Sequence, residues 1–313
     1  MKKLTILAIT AFMVSFSSCS EDLLDQTAVN SITYDGNQTI ESESQMQYVL
    51  NGMYSELGSA DALGADIIMF GELISDNAFI SNKNDGRFKI TNAMTWTASD
   101  TNTDFNQFNK LYDAVGMANI IINTEIEQTK AVKSMVAQAY AARGLAFYYL
   151  ASFYAANPTS GINQEYGIPI HTGDYDPNAY YPRATVSETY AQIISDLEKG
   201  ISEFNEVTDN KGYINANAAR IALAKAYLTR GGSGDYEKAI QYADEALVAS
   251  SNLLTKDQIQ SYFAGTTSAE VKDQPETAFE INMSITSNPG VNRSLGSFMI
   301  QMEEKVTLCF VKV

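Results

Sequence analysis

Histidine and cysteine are nearly absent from this 313-residue chain, which has one His and two Cys. That excludes multi-histidine zinc sites, all-cysteine zinc sites and a disulfide framework. Positive charge is scarce too. Lys and Arg number 21 against 37 Asp and Glu, a formal net charge of −16. Nucleic acid or an anionic membrane surface would repel such a chain, whereas a neutral ligand such as a sugar would not. Proline is sparse at 6, and low proline with abundant alanine favours helices. The chain has no G-x-S-x-G, Walker loop, H-E-x-x-H or G-x-G-x-x-G, so it offers no catalytic residue and no cofactor motif, and it reads as a non-enzyme. With 45% hydrophobic and 19% charged residues, it is nonetheless a folding sequence and not a disordered polyelectrolyte.

The N-terminus sets the compartment. Met1-Lys2-Lys3 is a short basic start, and residues 4–16 are an apolar run broken only by Thr and Ser. A spanning helix needs about 20 apolar residues, so this run reads as a signal-peptide core over residues 1–18. Ser17-Ser18-Cys19 places small residues before a cysteine, as in a bacterial lipobox, and assigns Cys19 as the lipidation site. Removing residues 1–18 takes away Lys2 and Lys3 and no acid, which leaves the remainder more negative still. The acidic stretch Glu21-Asp22-Leu23-Leu24-Asp25 opens a polar tether over residues 19–43.

From residue 44 helical spacing dominates. Met46, Val49, Leu50, Met53, Tyr54 and Leu57 repeat at three and four, as do Phe108, Leu111, Val115, Ala118 and Ile122. Residues 134–156 carry two adjacent apolar stripes and a single charge, Arg143, which predicts a helix sandwiched between neighbours. Thr185 and Glu188 form a capping box ahead of Val186, Tyr190, Ile193 and Leu197. Residues 216–230 and 235–249 read as a tetratricopeptide-like hairpin, with Ala239, Ala243 and Ala246 facing the earlier helix. The helices at 134 and 186 read as an earlier hairpin split by a Gly/Pro loop over 157–184. Residues 58–104 lack clear periodicity, and the apolar stretch 67–70 suits helix or strand. The predicted fold class is mainly α, with degenerate tetratricopeptide-like hairpins and long irregular loops over residues 44–300. Residues 301–313 form an aberrant tail with no helical period.

In order along the chain, several pieces resemble the SusD/RagB family of Bacteroidetes surface lipoproteins. They are the lipobox with its acidic stretch; Leu111-Tyr112-Asp113-Ala114-Val115-Gly116-Met117-Ala118-Asn119; the aromatic helix around Arg143-Gly144-Leu145-Ala146-Phe147-Tyr148-Tyr149; Gly167-Ile168-Pro169; Pro182-Arg183-Ala184-Thr185; Asp196-Leu197-Glu198; and residues 219–243. The resemblance implies a lipid-anchored lid on the outer membrane, facing outside. Such a lid would capture oligosaccharide or another nutrient and deliver it to a SusC-like TonB-dependent porin. Members of the family are usually much longer. The expectation is therefore of a shortened form, with part of the ligand platform outside it and apolar residues such as Phe279 and Ile281 lacking their partner surfaces. Two other readings are a tetratricopeptide scaffold that binds a protein and no glycan, and an inactive truncated product.

The candidate sites are few. Trp96 is the best ligand residue, because sugar C–H faces stack on aromatic rings while Asn, Asp and Arg bond the hydroxyls. It lies among Asn77, Arg87 and Asn102, and in starch-binding relatives the corresponding segment supplies a stacking aromatic. A packing role for Trp96 stands beside that reading. Arg143 reads as structural: a guanidinium on a buried helix needs a carboxylate or carbonyl partner. Asp100-x-Asn102-x-Asp104 and Asp174-x-Asp176-x-Asn178 open like calcium loops but lack the Gly and Glu that complete one, so no metal is assigned.

Overall fold

The computed structural model describes residues 40–81, 86–97, 105–174, 176, 178–204, 210–249, 253–263, 276–281, 293, 295 and 308–310. Residues 1–39, with the expected signal peptide, Cys19 and most of the expected tether, lie outside this set.

The first helix, α1 (Glu43–Leu57), starts where Ser42 accepts the Gln45 N–H, and it buries Met46, Leu50, Met53, Tyr54 and Leu57. This is the three-four stripe read from sequence. After a π-helical turn at Ala60–Gly64 comes α2 (Asp66–Ile74), so the stretch 67–70 is helical. A short strand, β1 (Ala78–Ile80), and a short helix, α3 (Lys89–Ala93), follow. Then come the long helices α4 (Gln107–Asn123), α5 (Lys130–Tyr154) and α6 (Val186–Glu203). Beyond them lie α7 (Ala216–Arg230), α8 (Asp235–Ala249) and α9 (Lys256–Phe263), and last the strand β2 (Leu308–Phe310). β2 pairs antiparallel with β1, Phe79 opposite Cys309. Periodicity could not show this pairing, because three-residue strands carry almost no pattern.

Neighbouring helices pack in sequence: α1 on α4, α4 on α5, α5 on α6, α6 on α7 and α7 on α8. α5 is therefore sandwiched, as its two apolar stripes require. Glycines let α5 and α6 approach closely. A Cβ on Gly144 would stand 2.8 Å from Leu197 Cγ, and one on Gly200 would stand 3.0 Å from Ala141 Cβ. The Thr185/Glu188 capping box forms at the start of α6 and satisfies two otherwise orphaned backbone N–H groups.

The α7–α8 hairpin turns sharply at Gly231, in the left-handed region at φ 62°. Arg230 pairs with Asp235 at 2.6 and 2.7 Å, and Asp235 also accepts the Gly232 N–H at 2.8 Å. The Arg230 guanidinium holds the Asp235 carboxyl below the usual carboxylate range. Ala239 and Ala246 are buried as expected. Ala243 is not: it is exposed, on an open apolar groove with Leu228, Ile240 and Leu247. At about 100° per residue, Ala243 sits about 60° around the helix from Ala246. Among the described residues α8 packs on α7 alone, and that rotation carries Ala243 off the contact.

Most of the core runs along α1, α4, α5, α6 and α7. A second, smaller cluster joins Ala65, Met69 and Leu73 of the α2 segment to Ala78 and Phe88, with Phe105 packed against it. Phe105, packed against that cluster, also meets Phe70, the ring beside Trp96.

Candidate ligand-binding site

Trp96 follows α3, and two left-handed residues bracket that helix: Phe88 at φ 58° and Met94 at φ 52°. Neither is glycine, so each conformation is held by its surroundings. Thr95 N–H donates to Ile90 O and Met94 N–H to Thr91 O, which closes the helix end and aims the next residues outward. The Asn92 side chain accepts the Ile80 N–H at 2.9 Å and ties α3 to β1.

Trp96 is 48% exposed. An exposed ring with one aromatic neighbour is compatible with either reading of the sequence. Its support is Phe70, with centroids 6.4 Å apart. Phe70 in turn meets Phe105 at 5.3 Å and Phe153 at 5.2 Å, both edge to face. Phe105 lies 4.9 Å from Phe88, and the Arg87 guanidinium sits 5.0 Å over the Phe88 ring. Trp96 and Arg87 therefore sit at the two ends of one run of ring contacts, drawn from α2, the residue before α3, the chain just ahead of α4 and the end of α5. Asn77 is exposed one residue before β1. Asn102, with Asn82, Asn84 and Asp85, lies outside the described residues. The aromatic support was not read from sequence: Phe70, Phe105 and Phe153 look like ordinary core positions until they meet.

Arg143 on α5 is 4% exposed. Its Nε and Nη2 donate to the two carboxylate oxygens of Asp196 on α6 at 2.9 and 2.7 Å, and Nη1 donates to Asn119 Oδ1 on α4 at 2.8 Å. This fork-on-carboxylate geometry satisfies the charge in both directions. Asn119 then donates to His171 O at 3.0 Å, and Gln192 donates to Asp196 at 3.0 Å. One buried ion pair thus joins three helices and reaches the 157–184 loop. Sequence reasoning expected a partner for Arg143 without naming it, although Asn119 and Asp196 both stand in the segments that carried the resemblance. At the other end of the aromatic row, burial pushes the Tyr154 hydroxyl up to about 12.

Among the described residues, no cluster of three or more His, Cys, Asp or Glu could hold a metal ion, and no helix is long and apolar enough to cross a membrane. The Asp174 carboxylate is engaged by Asn123 at 3.0 Å, and Asp176 accepts the Asn178 N–H, which is ordinary turn bonding.

Residues 22–228 match the SusD-like family described as starch-binding and associating with the outer membrane. Solved structures share the fold. A SusD superfamily protein from Bacteroides vulgatus superposes with a TM-score of 0.73 at 22% identity, over 87% of this chain and 61% of that one. A SusD superfamily protein from Bacteroides thetaiotaomicron gives 0.65 at 22% identity, over 79% and 54%. A SusD-like carbohydrate-binding protein from Bacteroides vulgatus gives 0.63 at 24% identity, over 77% and 50%. The chain thus spans about half to three-fifths of the length of these structures. No curated protein matches it in sequence.

Proposed function

The chain belongs to the SusD-like family, and on that premise we propose that it binds oligosaccharide at the bacterial surface and delivers it to a SusC-like TonB-dependent transporter. The observation that carries this reading is the half-exposed Trp96 with Phe70 against its ring, at one end of a run of ring contacts whose other end carries Arg87. A ring held against a neighbour offers a flat apolar face with less rotamer entropy left to lose. The acidic surface, with a net charge of −16, favours a neutral glycan over an anionic one. Asn77 and Asn102 belong to the same proposed site through their chain position.

Trp96→Ala should weaken glycan binding about tenfold or more, since stacking one ring face buries on the order of 50–100 Å² at about 25 cal/mol per Å². Calorimetric titration of the full chain with a panel of neutral oligosaccharides, maltoheptaose among them, reads this directly. Unchanged affinity in Trp96→Ala would remove the site. A panel that is blank throughout would favour the protein-binding scaffold.

Anchoring is the second part of the proposal. Cys19 follows small residues and an apolar run, and acyl chains on it would hold the protein by about 0.8 kcal/mol per buried methylene. Cys19→Ala should move the protein from the membrane fraction to the soluble fraction. Retention of the variant in membranes would end the lipoprotein assignment.

A further inference from the structure

A second built surface lies on the loop between α5 and α6. Side chains of one face of α4 hold this loop from beneath. Tyr112 donates to Pro169 O at 2.7 Å, Asn119 to His171 O at 3.0 Å, and Asn123 to Thr172 O at 3.3 Å. From the other end, Arg183 Nη1 donates to Tyr154 O at 2.8 Å and to Gly167 O at 2.7 Å, and Pro169 pairs with Arg183 in an antiparallel bridge. A loop tied down by so many side-chain bonds to its carbonyls is preorganised.

On the outer side of that loop the aromatics are presented and not packed away. Tyr180 is 88% exposed. Tyr181 stacks on His171 with centroids 4.3 Å apart and 29° between the planes. The imidazole is itself fixed by a contact of 3.1 Å from Nε2 to Asp174 O. A carbonyl only accepts, so Nε2 carries the proton. Beside Tyr181 opens a groove of about 730 Å³, with Arg183, Gln192 and Ser195 on its polar wall and Ile170 on its apolar one. Gln192 Nε2 is committed to Asp196, which leaves its carbonyl oxygen to accept from a ligand. Arg183 uses only Nη1 toward the protein, and Nε and Nη2 remain as donors among the described residues.

We propose that this groove is a second glycan subsite, in which a neutral oligosaccharide stacks on Tyr181 while Arg183, Gln192 and Ser195 bond its hydroxyls. The ligand class rests on the carbohydrate reading above; the place does not. Solvent-facing aromatics on a rigid backbone, next to unspent donors and acceptors, are what a sugar needs. Glu188 on the groove lining adds a negative charge that opposes acidic sugars. The buried Arg143–Asp196 pair supports the subsite from below, through Asn119 to the His171 carbonyl and through Asp196 to Gln192.

The test is calorimetric titration of the full chain with maltoheptaose and with the neutral panel used for Trp96. It uses Tyr181→Ala, Gln192→Ala, Trp96→Ala and the Tyr181→Ala/Trp96→Ala double variant. Tyr181 and Gln192 lie at the surface, and thermal melts should confirm that each variant folds. The expected result is two sites per chain in the wild type. Tyr181→Ala should weaken one of them about tenfold or remove it, and the double variant should lose both. If Trp96→Ala alone abolishes binding while Tyr181→Ala and Gln192→Ala change neither stoichiometry nor affinity, the subsite is overturned and the Trp96 reading stands. If Tyr181→Ala abolishes binding and Trp96→Ala changes nothing, the Trp96 reading falls and the subsite stands. A wild type that binds no saccharide overturns both.

Discussion

Asp196→Ala is expected to destabilise the protein by about 3–5 kcal/mol, because it leaves the Arg143 guanidinium buried and unpaired. Asp196 is 1% exposed and takes both forks of that guanidinium. Water cannot enter to replace it without opening the contact between α5 and α6. The loss should show as a large fall in the urea midpoint. Arg143→Met/Asp196→Leu should recover much of it, since removing both charges removes the desolvation penalty along with the attraction. Asn119 would then lose one partner, so recovery should be incomplete. If Asp196→Ala melts within about 1 kcal/mol of the wild type, well below the usual effect of breaking a buried pair, the ion pair is solvated and the network described here does not hold the helices.

Gly167→Ala should have an effect of similar size for a different reason. An added Cβ would stand 2.3 Å from Thr189 Oγ1, 2.5 Å from Thr185 O and 2.6 Å from Ala184 O. The Thr189 side chain could be cut away, but the two carbonyls are backbone at the start of α6 and cannot rotate aside. Overpacking in a rigid setting costs about 1–3 kcal/mol and sometimes more, and here the upper end is expected. Gly167 N–H donates to Ala184 O and Gly167 O accepts from Arg183, so the strain would spread into the Tyr181 loop. Gly116→Ala is the control. That glycine lies within α4, and an added Cβ meets nothing within 4 Å. The change should raise stability by about 0.5–1 kcal/mol through helix propensity. A Gly167→Ala/Thr189→Ala variant with wild-type stability would show that the side chain, and not the backbone, sets the limit.

Both predictions concern positions whose role depends on residues far away in the chain. Arg143 could be read as buried and in need of a partner, because it is the one charge on a helix with two apolar stripes. That the partner is Asp196 and not another acid follows only from the α5–α6 crossing, which Gly144 and Gly200 bring close. Trp96 shows the same division. Its residue type and polar neighbourhood suggested stacking. Its ring neighbour is Phe70, itself held by Phe105 and Phe153, and these three come from separate segments.

The sequence by itself determined what is local. Helical spacing in α1, α4, α5 and α6, the capping box at Thr185 and the glycine stop after α7 each depend on residues within one or two turns of one another, and all were legible. Periodicity states which face of a helix is covered and not what covers it. Ala239, Ala243 and Ala246 are therefore equivalent in the pattern, yet Ala243 ends on an open groove because, among the described residues, α8 packs on α7 alone. Tertiary structure alone decided that alanine, the β1–β2 pairing, the run of ring contacts beside Trp96 and the rigid loop that presents Tyr181. Each of these joins segments distant in sequence, and burial, close approach and hydrogen-bond partners between such segments are set by how the helices cross.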